Sequence, residues 1–402
     1  MNDMVNIKET GAPIQLNKEE RKKLREEVHA LCQSFGNEYW RKLDVPREYP
    51  YEFVEALTKA GYLSILIPQV YGGKGYGIAE ATIILEEIHR SGGHAAACHA
   101  QMYTMGALLR HGSTEQKEKY LPGIAKGEIR LQAFSITEPE AGSNTTGIQT
   151  FAEKTKDGYI INGHKNWTSR ILQSDLLLLL ARTTPLEQVE KKSKGISLFL
   201  VDLREIRQSQ PEALVVEPVR TMFNYATNKV WYKDMAIPHN SIIGEEGKGF
   251  KYVLDGMNAE RILLAAETIG DGYFFIDKAV KYACEREVFN RKIGQNQGVQ
   301  FPIARAYASI KAADLLRYEA AAKFDEGESC GEEANMAKLL SSEASWEAAN
   351  VCINTFGGNG FVDEYDVERK FRETRMYQVA PVNNNMILAY IGQHVLGMPR
   401  SY

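Results

Sequence analysis

The periodicity of apolar residues changes twice along the chain, and this change constrains the fold more than any other feature. The first part is helical, since Leu24, Val28, Leu31 and Phe35 recur at spacings of four, three and four residues. Short β-rich runs separated by turn signals follow, and long amphipathic helices then return. Because no helices alternate with the β-rich runs, we expect an antiparallel sheet or a small barrel there. The predicted domains are residues 1–130 (helical), residues 131–243 (β-sheet) and residues 244–402 (helical).

Charge and hydropathy argue against two kinds of partner. Lysine and arginine number 48 against 52 acidic residues, so the formal charge is −4, whereas binding to nucleic-acid phosphates requires a basic face. The longest aliphatic run, "LLLLLA" at Leu176–Ala181, is far shorter than the roughly 20 residues that cross a bilayer. We therefore expect no nucleic acid partner and no membrane span.

The cysteines and the N-terminal residues give an expectation for the compartment. The five cysteines are scattered without any Cys-x-x-Cys, which is typical of reduced thiols. "MNDMVNIKETGAP" lacks the apolar core of a signal peptide. The sequence therefore predicts a cytoplasmic protein, in a bacterium, and no metal ligand set.

Two stretches are candidates for a cofactor site. "AFSITEPEAGSNTTG", Ala133–Gly147, places hydroxyl groups and free backbone N–H groups after a β-like run, which suits a polar heterocycle or a phosphate. In "NGHKNWTSR", Trp167 follows another such run, and an indole can cover the face or edge of a flat ring. Taken alone, the first stretch is equally compatible with a tight capped turn, and Trp167 with a core tryptophan.

These stretches occur in order with others that resemble the acyl-CoA dehydrogenase family. "ITEPEAGSN" and "NGHKNWTS" resemble its flavin-binding strand pair. The other matching segments are "HGSTEQKEKYLPGIAKGE", "VWYKDMAIPHNSIIGEEGKGF", "CEREVFNRKIGQNQGVQF" and "TFGGNGFVDEYDVERKFRETR". The resemblance covers about residues 52–397 and implies an α+β multidomain fold: an N-terminal α-helical domain, a middle antiparallel β domain and a C-terminal four-helix bundle. It also implies FAD as cofactor, an acyl-CoA substrate, electron-transfer flavoprotein as acceptor and a homotetramer.

The resemblance implies a cofactor site in two parts. The residues expected around the isoalloxazine are Phe134, Ile136, Thr137, Ser143, Trp167, Thr168 and Ser169, together with Asn383 and Asn385 of the run Asn383–Asn385, which replaces the family's FAD-facing Thr-Ser-x. The residues expected to hold the adenosine diphosphate half, across a subunit interface, are Arg286, Phe289, Gln297, Asn354, Gly357 and Gly358. Asn290 and Asn354 depart from the family's glycine and glutamine, which puts a turn and an adenosine contact in question.

The usual catalytic base of the family is missing. Many members carry a glutamate in a C-terminal Tyr-Glu-Gly-Thr-Ser loop, and that position is Pro381 in "MYQVAPVNNNMIL". The branch that includes isovaleryl- and long-chain acyl-CoA dehydrogenases instead has a glutamate just before an arginine, on the helix that opens the C-terminal domain. The resemblance therefore implies Glu260, followed by Arg261, as the base.

Helical geometry adds to this assignment. Glu260 and Arg261 flank the apolar face of Val253, Met257 and Leu264, so both side chains are expected to point inward. Burial raises the pKa of a carboxylate, which suits a base for a weak carbon acid, and the neighbouring cation opposes that shift. A structural ion pair between the two side chains is the alternative.

The remaining expectations concern the substrate and the reaction. The residues expected to bind it are Ser143, Asn258, Arg261 and Val382. Because Pro381 has no N–H, either the N–H of Val382 polarises the thioester or the thioester binds in a different position. By resemblance, "HAAACHAQMYTMGALL" lines the acyl end. The implied reaction is α,β-dehydrogenation of an acyl-CoA. An acyl-CoA oxidase, a carrier-protein-linked dehydrogenase, an enoyl reductase and a non-dehydrogenating flavin-binding protein are the alternatives.

Overall fold

The computed structural model describes residues 12–379 and 381–400. The first region is helical, as the periodicity predicts. Its helices are α1 (Lys18–Gln33), α2 (Asn37–Asp44), α3 (Tyr51–Lys59), α4 (Ile78–Arg90), α5 (Ala96–His111) and α6 (Thr114–Lys126). Helix α6 begins after the Ser113 side chain, which accepts a hydrogen bond from the Gln116 N–H, and ends at Gly127 in the left-handed conformation, so both sequence signals for this helix are confirmed.

The middle region is a mainly antiparallel sheet. Its strands are β1 (Leu131–Ser135), β2 (Phe151–Lys154), β3 (Gly158–Lys165), β4 (Leu176–Arg182), β5 (Ile196–Asp202), β6 (Leu214–Pro218), β7 (Asn228–Pro238) and β8 (Ile242–Ile243), with α7 (Leu203–Ser209) between β5 and β6. The strand order is β6-β7-β3-β2-β4-β5-β8, and β1 pairs with β4. Strands β1 and β2 run parallel to β4, which differs from an all-antiparallel expectation. The long connection that contains the β2–β3 hairpin allows β4 to return in the same direction as β1.

Strand β4 explains the aliphatic run in the sequence. Leu176, Leu178 and Leu180 pack in a core shared with the N-terminal helices, whereas Leu177 and Leu179 pack in a core within the sheet region. Since side chains alternate along a strand, a strand buried on both faces reads as a continuous apolar run. Strand β1 lies beside α5.

The C-terminal region is again helical. Its elements are α8 (Gly249–Glu285), the short strands β9 (Glu287–Val288) and β10 (Arg291–Lys292), α9 (Gln297–Asp325), α10 (Gly331–Phe356), α11 (Val367–Thr374) and α12 (Asn384–Tyr390). Phe289 and Asn290 form the β9–β10 turn with φ of 52° and 59°, so Asn290 adopts the left-handed conformation that the family's glycine would favour. Helix α8 packs against α4, α9 and α10 and joins the N- and C-terminal regions.

The order helical, sheet, helical is thus confirmed. In the described residues no helix is long and apolar enough to cross a membrane.

Candidate active site

The C-terminal segment that follows Pro381 meets the loop that follows β1. Asn383 Nδ2 donates a hydrogen bond to Ser143 Oγ at 3.0 Å, although 240 residues separate them in the sequence. The Asn383 side chain also caps α12 by accepting from the Met386 N–H at 3.0 Å. Two segments that the sequence analysis assigns to one site are therefore in direct contact.

A buried ion pair fixes the loop after β1. The Glu138 carboxylate accepts hydrogen bonds from the N–H groups of Gln149 and Thr150, at 2.6 and 2.9 Å. Lys165 Nζ lies 2.9 Å from this carboxylate and donates to the Ile136 carbonyl at 2.7 Å. Burial opposes ionisation of Glu138, but Lys165 and the two N–H groups hold its pKa below the usual range. These contacts give the Glu-Pro loop one rigid shape.

The turn after β3 leaves Trp167 exposed. Its φ is 61° and its exposed fraction is 56%, so it is not a core tryptophan. Thr168 is buried, with its Oγ1 2.9 Å from Ser135 Oγ, and the Ser169 hydroxyl donates to Thr227 Oγ1 at 3.1 Å. The buried amide oxygen of Asn166 has no hydrogen-bond partner within the residues that the structure describes. An exposed indole beside an unpaired polar atom fits a flat polar ligand such as flavin.

Glu260 lies in the interior, on α8. Its exposed fraction is 8%, and its carboxylate has no hydrogen-bond or ion-pair partner among the described residues. Burial raises its pKa to about 7, against the lowering effect of His99, Arg261 and Lys338. Arg261 does not pair with it; the guanidinium donates instead to Asn258 Oδ1 at 3.1 Å. The structural ion pair that the sequence left open is therefore not formed.

Lys338 is a residue of this site that the sequence analysis missed. It is 1% exposed, and its Nζ donates to the Val382 carbonyl at 2.8 Å and to Asn384 Oδ1 at 2.9 Å. Burial lowers its pKa to about 7, with a further lowering by Arg261 and an opposite effect of Glu260. The lysine holds the segment after Pro381 in place beside the glutamate. A lone lysine among small residues of α10, in "ANMAKLLSSEA", is the available sequence signal.

Helix α5 adds aromatic side chains next to Glu260. The Tyr103 ring lies 5.9 Å from the Phe134 ring and 5.3 Å from the His99 ring. Burial raises the pKa of Tyr103 far above its usual value, and the negative charge of Glu260 adds to the shift. Both His99 and Tyr103 belong to "HAAACHAQMYTMGALL", the stretch expected to line the acyl end.

The residues expected to hold the other half of the cofactor are on the surface of the chain. The residues that are exposed are Arg286, Phe289, Gln297, Asn354, Gly357 and Gly358. Phe289 is 93% exposed, and a Cβ added at Gly358 would meet no atom within 4 Å. The role of these residues across a subunit interface stays a prediction.

Comparison with known proteins identifies the class. Models of the acyl-CoA dehydrogenase N-terminal, middle and C-terminal domains match residues 18–128, 133–232 and 247–396. A protein of this class is an oxidoreductase that uses FAD. The chain belongs to the acyl-CoA dehydrogenase family.

Individual relatives cover most of the chain. It is 32% identical to the acyl-CoA dehydrogenase FadE12 of Mycobacterium tuberculosis, over 96% of this chain and 98% of that protein. It is 33% identical to the caffeyl-CoA reductase-Etf complex subunit CarC of Acetobacterium woodii, over 83% and 86%. Among solved structures, a glutaryl-coenzyme A dehydrogenase in complex with glutaryl-CoA matches with a TM-score of 0.87 and 29% identity, over 96% of this chain and 98% of that one.

Proposed function

We propose that the protein catalyses the α,β-dehydrogenation of an acyl-CoA thioester to the trans-2-enoyl-CoA, with Glu260 as the catalytic base. The observation that carries this proposal is the buried carboxylate of Glu260, which has no hydrogen-bond partner in the described residues and whose pKa is raised to about 7. A base of this pKa is about half ionised at pH 7 and accepts a proton readily. The segment after Met376 offers no competing acid, because it contains Pro381 where many family members have glutamate.

The reaction breaks two C–H bonds and forms one C=C bond. Glu260 takes the α-hydrogen as a proton. Bound FAD supplies the acceptor for the β-hydrogen, which leaves with its electron pair as hydride. We assign FAD binding to the residues around Trp167 and Ser169 and to the exposed set from Arg286 to Gly358.

The thioester carbonyl must be polarised as negative charge builds on it. We assign this role to the Val382 N–H, because Pro381 has none. Lys338 supports the assignment, since its bond to the Val382 carbonyl fixes the orientation of that peptide segment. Ser143, Asn258 and Arg261 are proposed to position the thioester and the CoA.

The proposal extends to partners and location. The name of the Acetobacterium relative includes an Etf complex, which supports electron-transfer flavoprotein as the acceptor here. Phe301 and Leu315 of α9 are 59% and 70% exposed, and such apolar side chains on one helix favour a homo-oligomer, for which we propose a tetramer. The absence of disulfides among the described cysteines agrees with a cytoplasmic location.

Anaerobic titration of the yellow holoprotein with straight and branched acyl-CoA thioesters tests the proposal. We expect bleaching of the flavin by the wild type and a loss of about 10³-fold in the reduction rate of Glu260→Gln, with FAD retained. Asp277→Asn is the matched control, since Asp277 is an exposed acid on the same helix and pairs with Arg90. An oxidase and a dehydrogenase are distinguished by comparing the rates at which air and a flavoprotein acceptor reoxidise the reduced flavin. Full activity of Glu260→Gln would contradict the assignment of the base.

A further inference from the structure

In the described part of the chain, Arg170 is a buried cation without a counterion. Its exposed fraction is 4%, and its Nη1 has no hydrogen-bond partner among residues 12–379 and 381–400. The contact of its Nε is a long hydrogen bond of 3.4 Å to the Gln132 carbonyl, and no carboxylate lies within ion-pair distance among the described residues. Next to it, the buried side-chain nitrogen of Gln132 is also unpaired. Tyr225 is a neutral hydrogen-bond partner of the guanidinium and does not compensate its charge. A buried cation without a counterion is costly unless a ligand supplies one.

A cavity of about 40 Å³ adjoins this guanidinium. Its lining includes Trp40, His94, Arg170, Tyr225, Arg369 and Glu373. The volume exceeds the roughly 10–15 Å³ that one water requires, and it is of the size of a carboxylate group. The Tyr225 ring lies 5.1 Å from the guanidinium carbon and 5.7 Å from the His94 ring, so aromatic groups surround the cation.

The other charged groups of this cavity already have partners. Arg369 Nη1 lies 3.3 Å from Glu373, and Asp44 lies 2.7 Å from both Arg47 and Arg372. Burial lowers the pKa of His94 to about 4, which leaves its imidazole neutral at pH 7. Arg170 therefore gives the cavity its uncompensated positive charge.

Arg170 and the proposed base interact with the same two tyrosines. Tyr103 and Tyr225 each interact electrostatically with both Glu260 and Arg170. Tyr103 in turn packs against Phe134, which belongs to the predicted flavin cradle. A ligand whose reacting end lies beside Glu260 can thus extend past the two phenol rings toward Arg170.

We propose that this cavity receives a carboxylate at the distal end of the acyl group, held by Arg170, so that the preferred substrate is the CoA monothioester of a dicarboxylic acid. This inference rests on the proposed dehydrogenase function. A carboxylate matches the forked guanidinium and supplies an acceptor for Nη1, whereas a methyl terminus would leave the cation without a counterion.

The test is anaerobic flavin reduction by matched pairs of thioesters. Succinyl-, glutaryl-, adipyl- and suberyl-CoA are each compared with the methyl-terminated acyl-CoA of the same carbon number. We expect one carboxylated thioester to exceed its partner by about 30-fold or more in kcat/KM, mainly through KM. In Arg170→Gln this ratio should fall to near one while the methyl-terminated rate changes less than about threefold; Arg170→Lys should restore part of it. Arg204→Gln, an exposed arginine paired with Asp202, should keep the wild-type ratio.

Three other results would each contradict either the carboxylate inference or the dehydrogenase proposal. Equal or better reduction by the methyl-terminated partners would overturn the carboxylate inference and leave the dehydrogenase proposal standing. Failure of every thioester to bleach the flavin would count against the dehydrogenase proposal itself. If Arg170→Gln loses FAD, measured by the flavin absorbance after gel filtration, and slows both substrate types equally, the guanidinium binds the cofactor and the inference is wrong.

Discussion

Helix α8 carries two buried glutamates with opposite surroundings. Glu260 and Glu267 are seven residues apart, about two turns, so they lie on one face of the helix. Glu267 accepts a hydrogen bond from the Tyr377 hydroxyl at 2.8 Å and lies 2.9 Å from His99 Nδ1. Glu260 has no such partner among the described residues. Burial opposes ionisation of both, yet the pKa of Glu267 is lowered to about 2 by His99, His89 and Tyr377, whereas that of Glu260 is raised to about 7.

The comparison shows that burial alone does not determine the chemistry of a carboxylate. A carboxylate that is fully paired is a fixed anion that stabilises the fold and is a poor proton acceptor at neutral pH. A carboxylate that is desolvated and left unpaired costs stability and is ready to accept a proton. Glu267 has the first set of properties and Glu260 the second, which is why we assign the base to Glu260.

The largest expected effect concerns folding stability. Glu267→Gln breaks a buried network and should lower the free energy of unfolding by about 3 kcal/mol or more. Glu260→Gln removes an unpaired buried charge and should leave stability unchanged or raise it at pH 7 and above. Urea unfolding of both variants at one FAD concentration measures the difference. Equal destabilisation by the two substitutions would contradict the view that Glu267 stabilises the fold and that Glu260 does not.

The pH dependence of flavin reduction tests whether the raised pKa of Glu260 controls the reaction. Glu260 must be ionised to take a proton, so the rate at limiting substrate should rise about tenfold per pH unit below pH 7 and level off above it. Rapid-mixing anaerobic reduction between pH 5.5 and 9 measures the profile. A profile that is flat through pH 7 would mean that the raised pKa of Glu260 is not the one that controls the reaction.

The pKa values of Glu260 and Glu267 also determine whether each residue's contribution to folding stability rises or falls with pH. Because the folded pKa of Glu260 is raised above its unfolded value, the folded state holds the proton more tightly, and the contribution of Glu260 falls as pH rises from about 4.5 through 7. For Glu267, whose folded pKa is lowered, the contribution is present above about pH 4.5 and is lost as pH falls toward 2. Unfolding curves of each Gln variant against wild type across this range should therefore diverge in opposite directions.

Most of the fold was predictable from the sequence, because apolar periodicity depends on local geometry. The spacing of Leu24 to Phe35 predicts α1, and the position of Glu260 beside an apolar stripe predicts its burial. The partners of buried polar groups were not predictable, since they come from distant parts of the chain. Lys338 of α10 reaches Val382, and Arg170, which follows β3, contacts Gln132 of β1. No spacing within a single segment encodes such contacts.

A smaller effect is expected at Lys338. Its positive charge lowers the pKa of Glu260, so Lys338→Met should move the midpoint of the rate profile to higher pH and reduce the rate at pH 7 several-fold. The variant also loses the bonds to Val382 and Asn384. Measurement above pH 9 separates the two effects, since a shifted pKa predicts recovery there and a displaced segment predicts a rate that stays low. Recovery would support an electrostatic role, and a midpoint that moves to lower pH would contradict it.

The smallest expected effect tests the contact between the two segments of the site. Asn383 both caps α12 and donates to Ser143, and the two roles use different atoms of its side chain. Asn383→Asp keeps an acceptor for the cap but has no N–H to donate, whereas Asn383→Ala loses both. We expect Asn383→Ala to lower the free energy of unfolding by about 1 kcal/mol, the usual contribution of a helix cap, and Asn383→Asp to change it less. Both variants should slow flavin reduction about equally, because each removes the hydrogen bond that holds the segment after Pro381 against the Ser143 loop. The expected loss is about two- to threefold, which corresponds to one neutral hydrogen bond. A rate that falls only in Asn383→Ala would assign the effect to the cap, and Glu260 would then be positioned independently of this bridge.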